Sequence, residues 1–105
     1  MNTFNQLHLD GIQKAVGLDS GIWVARSRIY TTSVVIGRPG VPGAVMVGFL
    51  VKGIYQGRPA WLVSHYPGSD PKSVADDTLS TPFQVYTEEV YYWADMLKLV
   101  KEVFK

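Results

Sequence analysis

Apolar positions Phe4, Leu7, Ile12, Ala15 and Val16 recur at roughly helical spacing between Thr3 and Leu18, interrupted by Asp10 and Gly11. Asp10 followed by Gln13 has the form of a capping box, and Gly17 that of a C-terminal stop. The segment therefore predicts one broken helix or two short turns. From Ile22 to Ile36 the chain is rich in Val, Ile, Thr, Tyr and Trp, with no Gly or Pro, which predicts one long strand. Gly37-Arg38-Pro39-Gly40-Val41-Pro42-Gly43 follows and can be only a loop.

Ala44–Tyr55 and Pro59–Tyr66 read as two further strands, with Gln56-Gly57 as a two-residue hairpin turn between them. That turn would set Val51 opposite Leu62, Phe49 opposite Ser64 and Val47 opposite Tyr66. Lys52, Trp61, Leu50, Val63 and His65 would share the other face. Pro67–Pro82 is polar, with Asp70-Pro71 placed to start a short helical turn. Phe83–Tyr86 suits either a fourth strand or the first turn of the last helix, since Thr81-Pro82-Phe83-Gln84 also fits a capping box.

Thr87–Phe104 is the clearest helical pattern, with Thr87 as N-cap, Glu88 and Glu89 near the positive end and Lys98, Lys101 and Lys105 near the negative end. Val90, Trp93, Leu97, Val100 and Phe104 fall at heptad spacing, and Met96, Leu99 and Val103 widen the stripe. The stripe predicts a helix lying on the sheet, with a helix-mediated homodimer as the second reading. These elements add up to one α+β domain over residues 1–105: an antiparallel meander of three to four strands, packed by a C-terminal amphipathic helix and a short N-terminal one, the helices on one face.

Composition narrows the function classes. Ten basic and nine acidic residues give a net charge of +1, without the broad positive field of non-specific nucleic-acid binders. The chain has no cysteine, so disulfides, thiolate metal sites and cysteine nucleophiles are excluded. The run from Gly43 to Val51 is far short of the roughly 20 residues a membrane-spanning helix needs. With no secretory pattern at the N-terminus, a cytoplasmic location is the expectation.

Catalytic and metal motifs are thin. Ser64 and His65 are adjacent and would point to opposite sheet faces, and no G-x-S-x-G elbow is present. His8 and His65 are far apart in the chain, and Asp76-Asp77 alone suggests solvated carboxylates more than a cation site. The loop from Gly37 to Gly43 lacks the Walker pattern, although Arg38 projecting from it is suited to an anion or a partner. No cofactor is implied.

The most suggestive constellation is Arg26, Arg28 and Tyr30, which would alternate on one face of the first strand, bounded by Ile22, Val24, Val34 and Ile36. Such a face suits carboxylates, phosphates or stacked rings, or else protects an edge strand with charge. With three Trp and six Tyr in a chain this small, some rings should be exposed. The sequence thus predicts a non-catalytic protein-interaction domain of inhibitor or adaptor type, acting by occlusion through Arg26, Arg28, Tyr30, Arg38, Trp61 and His65. The alternative is a binder of a small anionic, nucleotide-like ligand, held by Arg26, Arg28 and Arg38 with Tyr30 or Trp61 stacked on it. A third reading, a small hydrolase, requires His65 within hydrogen-bond reach of a carboxylate.

Overall fold

The computed structural model describes residues 6–17, 21–27, 33–50, 60–76 and 85–104. Helix α1 (Gln6–Val16) is followed by strands β1 (Trp23–Arg26), β2 (Ser33–Gly37), β3 (Ala44–Leu50) and β4 (Ala60–Tyr66). Helix α2 (Pro71–Asp76), strand β5 (Tyr86–Val90) and helix α3 (Trp93–Val103) complete the described chain. The strands form one antiparallel five-stranded sheet in sequential order, so the expected meander is present with one strand more than the upper count.

Alternation along the strands sorts the core into two clusters, one on each sheet face. Val34 and Ile36 of β2, Val45 and Val47 of β3 and Val63 of β4 pack with Ile22, with Ile12 of α1 and with Met96 and Val100 of α3. The intervening Val35, Ala44 and Tyr66 pack with Val74 and Ala75 of α2. The helices are therefore not confined to one face: α1 and α3 cover one side, and α2 covers part of the other.

Helix α1 runs unbroken through Asp10 and Gly11, against the expected interruption. A Cβ at Gly11 would lie 3.3 Å from Cζ2 of Trp93, so the glycine admits the tryptophan ring of α3 beside the helix. Asp10 is no N-cap; its Oδ1 accepts from Gln6 Nε2 at 2.9 Å. Gly17 does end the helix, at φ 102° and with its N–H donating to the carbonyl of Gln13 at 3.0 Å.

The long strand predicted over Ile22–Ile36 is instead two paired strands, β1 and β2, joined in register by Trp23↔Gly37, Val24↔Ile36 and Arg26↔Val34. Fifteen extended residues would span roughly 50 Å, whereas the longest dimension of the molecule is 37 Å. The chain folds back after Arg26, and the N–H of Ser27 donates to the carbonyl of Ser33 at 3.1 Å. Val24, Val34 and Ile36 nonetheless share a face, as expected, because the register preserves their parity.

Two further expectations are corrected. Val47 pairs with Val63 and Phe49 with Trp61, three positions from the register a Gln56-Gly57 turn would give. An odd offset exchanges the faces of one strand relative to the other, bringing Val45 and Val47 onto the side of Val63 and His65. Residues 56 and 57 lie outside the described ones. The last helix begins at Trp93 instead of Thr87; Tyr92 stands at its N-cap without a side-chain bond to the helix's own first turn, and Asp95 supplies the acid of that turn. Thr87, Glu88 and Glu89 belong to β5, where pairing with Ser64, Val63 and Leu62 overrides the helical preference of glutamate. Tyr86, left open between strand and helix, is in the strand; residues 83 and 84 are outside the described ones.

Helix α3 lies on the sheet through Met96 and Val100, flanked by Trp93, Leu97, Leu99 and Phe104. Val103, expected to widen that buried stripe, is 39% exposed. No helix among the described residues is long and apolar enough to cross a membrane.

Candidate functional site

At one end of the sheet, four segments converge on an open cleft of about 370 Å³. Its floor is formed where β3 begins and β4 ends, by Val45, His65 and Tyr66. One wall is the loop from Arg38 to Gly43, another is Tyr86 at the start of β5, and the third is Val103 and Phe104 at the end of α3.

The loop wall is built by glycine and proline and fastened to the neighbouring turn. Gly40 takes φ 79° and Gly43 φ 114°, a left-handed region that residues with a Cβ rarely enter. The N–H of Gly40 donates to Asp70 Oδ1 at 2.7 Å, and the N–H groups of Gly43 and Ala44 donate to the carbonyl of Ser69 at 3.0 and 3.2 Å. The predicted helical start at Asp70-Pro71 is observed, with Pro71 as the first residue of α2. Asp70 stands where an N-cap would, yet its carboxylate reaches across to the loop. Replacing Asp70 with Ala is expected to cost roughly 1 kcal/mol and to speed amide exchange at Gly40. An unchanged exchange rate at Gly40 would remove the fastening role of Asp70.

His65 is buried, and its Nε2 lies 2.7 Å from Glu88 Oε2 across the β4–β5 ladder. The Tyr86 ring stacks on the imidazole at 4.5 Å between centroids and 8° between planes. Ser64 projects to the opposite face and meets Thr87 Oγ1 at 3.3 Å, so the adjacent serine and histidine do not form a relay. His65 does have a carboxylate within hydrogen-bond reach, the geometric condition for a hydrolase, though Glu88 comes from a strand and no loop acid supplies it.

The four candidate residues among the described ones do not line one site. Arg38 and His65 line the cleft. Arg26 is exposed but pairs with Val34, at the far end of the β1–β2 ladder from Gly37 and hence from Arg38. Trp61 is partly buried against the interior cluster, its ring 5.1 Å from that of Trp93 and 6.0 Å from that of His8, and it does not line the cleft. Arg28 and Tyr30 lie outside the described residues, and the continuous strand on which they would have alternated with Arg26 is absent.

Beside Arg38 and His65 the structure places Val41, Tyr86 and Val103, none of them among the six candidates. Val41 is 48% and Tyr86 59% exposed, and with Val103 they make the apolar rim of the cleft. Val41 carried a signal, being an apolar side chain in a loop otherwise made of Gly, Pro and Arg. Among the described residues no cluster of three or more metal-ligating side chains is present. No family model, curated protein or solved structure matches this chain.

Proposed function

We propose that this chain is a non-catalytic protein-interaction domain, of inhibitor or adaptor type, which seats an anchor side chain of its partner in the cleft. The observation that carries this reading is the convergence of Val41, Tyr86 and Val103, exposed large apolar residues from three distant segments, around one concave site beside Arg38. Contiguous exposed apolar surface rimmed by polar groups marks interaction sites, and tyrosine and arginine are enriched among the residues that dominate binding. Covering about 800 Å² per partner would use a modest part of the 6423 Å² surface. The wall is held in place before binding by the Gly40–Asp70 and Gly43–Ser69 hydrogen bonds, which lowers the ordering cost of association.

The test is comparative capture of partners from the native host. Val41→Asp and Val103→Asp each place a charge on the rim and are expected to abolish a capture that wild type shows. Leu7→Asp alters an exposed leucine of α1 that does not line the cleft and should leave capture intact. Equal capture by all four proteins would overturn the assignment of the cleft.

A further inference from the structure

Apolar Val41, Val45, Val103 and Phe104 share the lining of the cleft with Arg38, His65 and two tyrosines, and the charged groups in and around it are unequally committed. Asp70 accepts the N–H of Gly40, and Glu88 is engaged with His65. The Arg38 guanidinium, by contrast, has no ion-pair partner among the described residues. The end of α3 contributes carbonyl dipoles of negative sign, with Lys101 in its last turn to offset them. Among the described residues that line the cleft, the charge without an ion-pair partner is therefore the Arg38 guanidinium.

The loop beside Arg38 further restricts the anion. Phosphate sites on loops depend on backbone N–H groups turned toward the ligand. Here Pro39 and Pro42 have none, and those of Gly40, Val41 and Gly43 donate to Asp70, to the Arg38 carbonyl and to the Ser69 carbonyl. A phosphate would find one guanidinium and no cradle. A carboxylate matches the two parallel donors of one arginine fork and asks for nothing more.

Resting on the reading of the cleft as a docking site, we propose that its occupant is a partner-protein segment in which a large apolar side chain lies next to a carboxylate. The apolar group packs among Val41, Tyr86 and Val103, and the carboxylate pairs with Arg38. The volume of 370 Å³ is at the low end of the roughly 300–1,000 Å³ of small-molecule sites, which suits one large side chain and its flanking backbone. Exposed apolar surface also continues from Tyr86 to Val85, which is 41% exposed and leads into the edge strand β5. A free small carboxylate would leave that extension uncovered, whereas a peptide can lie along it.

The probe is a fluorescein-labelled hexapeptide with adjacent phenylalanine and glutamate, followed by polarisation and by amide chemical-shift mapping on the full chain. The expected result is saturable binding with shifts at Val41, Tyr86 and Val103. Binding should weaken by at least about tenfold when the peptide glutamate becomes glutamine, or in Arg38→Ala, and by less in Arg38→Lys. Equal affinity for the glutamate and glutamine peptides, with shifts still in the cleft, would overturn the carboxylate while leaving the docking site. No shift in the cleft with either peptide would overturn both. Adenosine monophosphate shifting the cleft where the peptide does not would overturn the peptide in favour of a small phosphate ligand.

Discussion

Val63→Asp is expected to abolish cooperative unfolding, giving a chain with no sigmoidal transition in urea when followed by circular dichroism. Val63 is fully buried in β4, between Val47 of β3 and Glu88 of β5, under Met96 and Val100 of α3. Its neighbours in the core cluster are apolar, so an aspartate there would lose its hydration without an ionic partner from that cluster. Its cross-strand neighbour Glu88 would add repulsion of like sign across the ladder. Burying an unpaired charge belongs to the few changes that cost more than about 4 kcal/mol, while a domain has about 5–15 kcal/mol of stability in total. Val63→Thr keeps the shape and buries only a hydroxyl, at a cost of about 1–3 kcal/mol. The threonine variant should still unfold cooperatively, at a lower urea midpoint. A cooperative transition in the aspartate variant would mean that this position is wet and that the central cluster is misplaced.

The same strand explains why the site and the core cannot be separated. His65 is two residues beyond Val63 on the same face, so the side chain that fills the cleft floor is fixed by the register that buries the valine. A shift of one residue would turn His65 toward α2 and Ser64 toward the cleft, and the Glu88 and Tyr86 contacts would be lost. The candidate site is thus a product of strand pairing more than of any motif.

That dependence sets what could be read in the chain beforehand. The α+β class, the meander, the loop after β2, the helical start at Asp70-Pro71 and the stop at Gly17 each follow from local residue chemistry, and the structure has them, with Gly37, expected in the loop, closing β2 instead. The hairpin of β1 and β2 was not legible, because residues 27–32 contain no Gly or Pro to mark a reversal. Strand β5 was hidden for a different reason. Thr-Glu-Glu at 87–89 has the local look of a helix start, and only pairing along β4 makes it a strand.

Of the candidate residues, Arg38 and His65 could be chosen one at a time by type and position. Their meeting with Tyr86 and Val103 is a tertiary event with no local signature. The number of aromatic rings does not say which of them are covered: Trp61 is partly buried because His8 and Trp93, distant in sequence, pack against its ring.

Gly37→Val should lower stability by about 1–3 kcal/mol, and it links α2 to the cleft. Gly37 ends β2 on the face covered by α2, where a Cβ would stand 2.9 Å from both Cβ and Cγ of Pro71. Pro71 is itself fully buried, and its ring cannot rotate aside as a flexible side chain would. The backbone of Gly37 is not in the left-handed region, so the strain would come from crowding alone. Replacing glycine in a strand ordinarily gains roughly 0.5–1 kcal/mol by reducing the freedom of the unfolded chain, so a net loss would measure the collision directly. Relief requires α2 to move outward, and Asp70, immediately before Pro71, would be carried away from Gly40. The valine variant is therefore expected to show both a lower urea midpoint and faster amide exchange at Gly40, the second change matching that of Asp70→Ala. A lower midpoint with Gly40 still protected would place the relief in β2, and a raised midpoint would show that α2 does not pack against the sheet at this distance.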